Sequence, residues 1–280
     1  MSIRIDLLEL HAANACNLTC ESCSHFSNSG HKGFLKLDEA ESWMQAWRGR
    51  VEPKLFRILG GEPTLNPRLP ELIELAARCW PSSRIALTTN GFYLHRHPGL
   101  PEVLSRHKVK FRLTVHHRSD EYSAKVIEIV SLLQQWGRAH PFEMSVENAY
   151  RRWTRRHHGF GASVEPYEDR DPGKSWEICP AKECVQLFRG RLWKCSPIAY
   201  LRLQKEAYPA LSPKWDDYLA YGGIGPDCSD EDLAAFLQRK EEAICGMCAA
   251  SPERFDKPSP LIRRSVLRRA AASASASTPR

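Results

Sequence analysis

Cys16, Cys20 and Cys23 stand in one short segment, Ala15-Cys16-Asn17-Leu18-Thr19-Cys20-Glu21-Ser22-Cys23, with the spacing C-x3-C-x2-C. Three thiolates gathered on one loop are soft ligands, and Cys thiolates commonly hold iron–sulfur clusters. A cluster with only three protein ligands leaves one iron open to a substrate or cofactor, which points to chemistry more than to passive electron storage. From these cysteines alone, a zinc site short of one ligand is the alternative. A second motif, Gly60-Gly61-Glu62-Pro63, follows the run Leu55-Phe56-Arg57-Ile58-Leu59, which reads as a buried strand. Two glycines at a strand end let backbone approach a ligand closely, and Glu62 adds an acceptor at the same edge.

In this order and about 40 residues apart, the two motifs resemble those of the radical S-adenosylmethionine (SAM) enzymes. The resemblance implies that Cys16, Cys20 and Cys23 hold a [4Fe-4S] cluster whose fourth iron binds the amino and carboxylate groups of S-adenosyl-L-methionine. It assigns Gly60, Gly61, Glu62 and Pro63 to the SAM amino group, with Thr89, Asn90 and His117 as further rim contacts. It also implies an electron donor such as flavodoxin or ferredoxin, and cleavage of SAM to methionine and a 5′-deoxyadenosyl radical that takes hydrogen from an unactivated C–H bond. The chain departs from the family at Ser22, where an aromatic residue usually precedes the third cysteine. Phe26 is the substitute expected near adenine.

Six more cysteines lie between residues 179 and 248: Cys179, Cys184, Cys195, Cys228, Cys245 and Cys248. Residues 185–188 and 191–194 read as a β-hairpin about Arg189-Gly190, which returns Cys195 towards Cys179. The pattern C-x10-G-x4-C followed by C-x2-C resembles the Twitch auxiliary domain, the short form of the SPASM extension. That resemblance implies one auxiliary iron–sulfur cluster, of the [4Fe-4S] type, on Cys179, Cys195, Cys245 and Cys248. Cys184 also precedes the hairpin and competes with Cys179; the distance to Gly190 favours Cys179. Four thiolates alone also suit zinc. Cys184 and Cys228 are then left over, and either could return a hydrogen atom to a substrate radical. Cys79, on an apolar helix face, reads as a buried hydrophobe.

The elements that position these residues alternate between strand and helix. Strands are expected at residues 3–11, 55–59, 84–88, 109–115 and 142–146, and helices at 38–49 (with Asp38 as N-cap), 67–79, 101–106 and 119–136. Such βα repetition implies an α/β fold with a parallel sheet, whose ligand sites lie at the C-terminal strand ends. The cysteine loop, the Gly-Gly turn, Thr89-Asn90 and His116-His117 all follow strands, so they share one rim. The family resemblance implies a partial (β/α)6 TIM-type barrel; residues 162–165 are the candidate sixth strand. The expected division is 1–165 for the barrel, 166–262 for a Twitch-like domain and 263–280 for a disordered basic tail. Arg151 to His158, strongly basic, reads as a solvated connection, or else as a lip for an anionic substrate or electron donor.

Length and composition fit an enzyme with a full core. The 280 residues include ten cysteines, no apolar run long enough to cross a membrane and no signal peptide, which suggests a reducing, cytoplasmic setting. Most of the formal charge of +7 comes from five arginines in residues 263–280, so nucleic acid is not an expected partner. Three functions remain in view. The first is an oxidoreductase-like radical SAM enzyme acting on a small polar, sugar- or cyclitol-like substrate, with the auxiliary cluster assisting oxidation. The second is a maturase that crosslinks or epimerises a ribosomally made peptide; many such relatives carry an N-terminal recognition domain, and none fits before Ile3. The third is a non-catalytic metal-binding or electron-transfer protein, which would have no need of the Gly-Gly-Glu-Pro motif.

Overall fold

A computed structural model describes residues 2–151 and 154–253. Five strands, β1 (Ile3–His11), β2 (Val51–Leu59), β3 (Arg84–Thr89), β4 (Lys110–Val115) and β5 (Glu143–Asn148), pair in parallel in chain order. Helices α1 (Leu37–Trp47), α2 (Leu69–Cys79), α3 (Leu100–Arg106) and α4 (Asp120–Ala139) connect them. The period-two pattern of the strands sets which residues meet the helices. Leu8, Leu10, Phe56, Ile58, Ile85, Leu87, Phe111 and Leu113 pack with Met44, Trp47, Leu72, Ile73 and Leu104 in one buried cluster. The alternate positions, among them Glu9, Arg57, Thr88 and Arg112, turn to the opposite, inner face.

The expected elements recur with shifted ends. β2 starts at Val51, earlier than residue 55, despite Pro53. Pairing with β3 begins only at Leu55, so Pro53 lies beyond that neighbour and its missing N–H leaves no gap in the ladder. α1 begins at Leu37, and Asp38 sits in its first turn instead of at the N-cap. α2 begins at Leu69 because the Asn66 side chain takes the Arg68 N–H at 2.9 Å and holds a turn ahead of the helix.

The sixth strand is not at residues 162–165. Gly161–Ser163 is a 3-10 turn there, and a single bridge joins His158 to Glu165. The sixth strand instead is β6 (Val185–Phe188), which adds in parallel to the other side of β1. β7 (Arg191–Trp193) returns antiparallel, giving a seven-stranded sheet in the order β5-β4-β3-β2-β1-β6-β7. The hairpin turn has φ of 53° at Arg189 and 72° at Gly190. Two left-handed residues match the twist of a two-residue hairpin, and glycine takes that conformation without strain. The architecture is an α/β partial barrel of TIM type, closed on the β1 side by the C-terminal hairpin.

A second buried cluster lies beyond the hairpin. It joins Phe26, Val164, Phe188 and Trp193 to α6 (Ser196–Ala207), Trp215 and α7 (Asp216–Ala220). α5 (Pro172–Glu177) packs against the turn Ala243–Met247, and α8 (Asp230–Gln238) packs Leu233 and Phe236 into the first cluster. None of the ten cysteines is in a disulfide, and Cys79 is buried in the main core. Among the described residues no helix is long and apolar enough to cross a membrane. The basic tail at 263–280, Arg152 and Trp153 lie outside the described residues.

Phe56 is fully buried and stacks on Trp80 with ring centroids 4.9 Å apart. Phe56→Ala removes that ring from a packed core and should cost about 3–5 kcal/mol, measured as a lowered midpoint of denaturant unfolding.

Candidate active site and a second cysteine site

The cysteine loop grows out of β1 and stays bonded to the end of β2. Ala12 N–H donates to Leu59 O at 2.6 Å, Gly61 N–H to Ala13 O at 2.7 Å and Glu62 N–H to Ala15 O at 2.9 Å. This close approach explains the glycine pair. A Cβ on Gly61 would lie 2.3 Å from Ala15 O, and one on Gly60 2.9 Å from Ala13 N and O. The backbone that approaches the Gly-Gly turn most closely is therefore the chain's own cysteine loop. Asn66 clamps both ends of the loop by donating to Ala12 O and Leu35 O, each at 2.9 Å. Asn28 donates to Cys20 O at 2.8 Å.

Cys20 is buried, and Cys16 and Cys23 are half-buried. Burial, then the neighbouring Cys16 and Cys23, push the Cys20 thiol well above its ordinary pKa. Burial likewise raises the Cys23 thiol, and thiols that disfavour their own ionisation when empty suit a cationic group that stabilises the thiolates. Among the described residues no three His, Cys, Asp or Glu side chains converge closely enough to enclose a single ion. Three soft thiol donors on one loop are the donor chemistry that an iron–sulfur cluster takes.

Glu62 is 1% exposed. Its Oε1 accepts from Thr64 N–H at 3.0 Å and from the Thr64 and Thr89 hydroxyls at 2.5 Å each, and its Oε2 accepts from Asn90 N–H at 2.9 Å. Burial raises its pKa, against the pull of those hydrogen bonds. Asn90 in turn donates from Nδ2 to Asn17 Oδ1 of the cysteine loop at 2.8 Å. The buried carboxylate thus ties the ends of β2 and β3 together and, through Asn90, to the cysteine loop. Pro63, also buried, opens the 3-10 turn that Glu62 caps.

The two rim histidines divide differently from expectation. His117 Nδ1 accepts from Ser119 N–H at 3.1 Å and shapes the turn into α4. His116 is the one that reaches the cysteines, with Nδ1 3.7 Å from Cys20 Sγ and Nε2 3.0 Å from Thr114 Oγ1. Burial pushes it down to about 4. Phe26 does not stay open for adenine. It is 1% exposed and stacks on His157 at 5.0 Å, edge-on to Trp215, within the second cluster. Ser22, where the family usually has an aromatic, pins residues 156 and 157 instead. Its hydroxyl accepts from Arg156 N–H and from His157 N–H, the latter at 3.1 Å.

Below the rim the inner face of the sheet is polar. Arg57 Nη1 lies 2.8 Å from Glu9 Oε1, Gln186 Nε2 donates to Glu9 Oε2 at 2.6 Å, and Tyr200 OH donates to Gln186 Oε1 at 2.9 Å. Arg112 pairs with Glu147 at 3.2 Å. Thr88, Arg112 and Ser145 stand in register on adjacent strands. Arg57 Nε, Thr88 Oγ1 and Ser145 Oγ are buried without a protein partner. Polar residues at alternate strand positions, as in Lys110-Phe111-Arg112-Leu113-Thr114, are the sequence signal that could have found this face.

At the second site Cys179, Cys195, Cys245 and Cys248 line one cavity with Arg156 and Tyr218. Cys184 is not in that lining. Its thiol lies 4.0 Å from Pro180 O, and burial, with smaller effects from the charges of Glu9, Arg57 and Cys179, pushes it up to about 12. Cys228 is a poor position for a hydrogen donor. It contacts Arg50, which directly precedes β2, at 3.6 Å, so it sits at the N-terminal end of the sheet. The nine residues of β2 separate that end from the rim, roughly 30 Å at 3.3 Å per residue, whereas a donor must touch the substrate radical.

Within the basic connection, Arg155, Arg156 and His157 are engaged with the rest of the protein. Arg155 pairs with Glu21, and with Glu253 at 2.7 Å. Arg156 Nη1 points to Cys179 Sγ at 3.9 Å, and His157 is buried. Residues 155–157 thus lie between the two cysteine sites.

The family model described as the Radical SAM superfamily matches residues 11–152, just over half of the chain, and the chain belongs to that superfamily. It is therefore a radical SAM enzyme, of a family that works with a [4Fe-4S] cluster and S-adenosylmethionine. The GTP 3′,8-cyclase of Tolumonas auensis is 34% identical over 95 residues, 33% of this chain and 28% of that relative. The chain thus spans little more than a quarter of the length of the curated relatives it matches. The solved structure of BtrN in complex with AdoMet and 2-DOIA is 14% identical, with a TM-score of 0.51 over 92% of this chain and 98% of that one. A structure of anSMEcpe with bound AdoMet is 22% identical, with a TM-score of 0.41 over 51% of this chain and 43% of that one.

The near-isosteric Glu62→Gln tests the knot at the rim. Its amide donor must face Asn90 N–H or one of the other donors, so we expect a loss of about 1–3 kcal/mol, read as a lowered urea midpoint.

Proposed function

We propose that the protein takes a hydrogen atom from a small polar, sugar- or cyclitol-like substrate bound against the inner face of the sheet, and that it oxidises that substrate. Cys16, Cys20 and Cys23 hold the [4Fe-4S] cluster in this reading, and the Gly60 to Pro63 turn, Thr89 and Asn90 shape the SAM site. When bound, the cluster and SAM supply a 5′-deoxyadenosyl radical. Cys179, Cys195, Cys245 and Cys248 hold an auxiliary iron–sulfur cluster, and a one-electron carrier such as flavodoxin or ferredoxin serves the enzyme.

The observation that carries the reading is the hydrogen-bonding character of the inner face. Glu9, Arg57, Thr88, Arg112, Ser145 and Glu147 present charges and hydroxyls just below the rim, and several of their polar atoms lack protein partners. A buried polar atom left unpaired is costly, so a hydroxylated ligand that pairs with these groups gains affinity and orientation. The fold likeness to BtrN, a complex with AdoMet and 2-DOIA, runs along nearly the whole length of both chains and supports the same architecture for binding.

The test begins with anaerobic reconstitution and iron counting. Two clusters' worth of iron in wild type, one in the Cys16/Cys20/Cys23 triple alanine variant, and 5′-deoxyadenosine from wild type alone are expected. Deoxyadenosine from the triple variant would overturn the reading. Arg112→Leu should keep substrate-free SAM cleavage within about two-fold yet lose most of its stimulation by a panel of polyols and aminocyclitols. A response to peptides alone would favour peptide modification.

A further inference from the structure

Tyr218 has a contact that neither the rim chemistry nor the fold requires. Its hydroxyl lies 2.8 Å from Cys248 Sγ. The ring is 2% exposed and packs at 67° against Trp215, with centroids 5.2 Å apart. Trp215 is itself fixed by its indole N–H, which donates to Val164 O at 2.8 Å. The hydroxyl is therefore aimed by a rigid aromatic pair. While Cys248 is a thiol either atom can donate; once it is a thiolate ligand it has no proton, and only the tyrosine can.

A second donor approaches from the opposite loop. Arg156 Nη1 is 3.9 Å from Cys179 Sγ, and the Ser22 hydroxyl accepts the Arg156 backbone N–H. The cavity lining adds Lys182, Lys194 and Lys240 against one acid, Glu242. Hydrogen bonds to ligand sulfurs and nearby positive charge withdraw electron density from the ligands. They favour the more reduced, more negative state of an iron–sulfur cluster, and so raise its potential.

We propose that Tyr218, aided by Arg156, is a positioning residue that raises the reduction potential of the group held by Cys179, Cys195, Cys245 and Cys248, biasing this site towards accepting an electron. The proposal rests on the auxiliary-cluster reading given above. It concerns the direction of electron flow, which cysteine spacing does not encode.

The experiment is a redox titration monitored by electron paramagnetic resonance, on protein reconstituted in the Cys16/Cys20/Cys23 triple alanine background so that only the second site gives a signal. Tyr218→Phe keeps the ring and removes the donor. Equal iron content with a midpoint potential lower than the parent's supports the proposal. An unchanged or higher midpoint at equal iron content overturns it and leaves the cluster reading standing. Zinc, or no iron–sulfur signal, in the parent overturns both. Should the phenylalanine variant lose its cluster, Arg156→Gln decides: a lowered midpoint supports the proposal and an unchanged one overturns it.

Discussion

Glu62 sits where water cannot reach it, and that makes its hydrogen bonds obligatory. A buried carboxylate is stable only when donors surround it, so Thr64, Thr89 and Asn90 must hold their places around the two oxygens. Thr64 follows β2, Thr89 ends β3 and Asn90 follows it, so β2 and β3 can present them together only in one register. The cysteine loop joins the same arrangement through Asn17 and through the backbone bonds from Gly61 and Glu62. The ends of β2 and β3 and the cysteine loop thus meet at one desolvated carboxylate.

The glycine pair supports that constraint sterically. With side chains at 60 and 61 the backbone of Ala13 to Ala15 would have to move away, which would open the bonds that carry the loop towards Glu62. Glycine in the Gly-Gly-Glu-Pro motif is needed first for contact between two parts of one chain, before any ligand arrives.

Much of the barrel could be read from the sequence because strand and helix periods leave a plain hydrophobic record: Leu8 and Leu10, Phe56 and Ile58, Phe111 and Leu113 each mark the helix-facing side. Motif spacing marked the rim cysteines and the four later ones that line one cavity. The missed features depend on contacts between residues distant in sequence. No local pattern says that residues 185–188 pair with β1, that Arg156 reaches Cys179, or that Phe26 leaves the rim for the second cluster. His116 and His117 are adjacent, yet only His116 meets Cys20, while His117 bonds to Ser119. The roles of Tyr218 and the inner-face polar groups required knowing which side chains share a space.

The pairing of β1 with β6 also bears on how the protein is made. β1 leaves the ribosome well before Gln186, which bonds to Glu9 and lies 177 residues later. At roughly 5–20 residues per second, one side of β1 waits about 10–35 s for its strand partner. During that interval the growing chain presents an open hydrogen-bonding edge next to the cysteine loop, the kind of edge that invites association with other chains. The hairpin of β6 and β7, besides carrying residues towards the second cysteine site, thus covers that edge of β1.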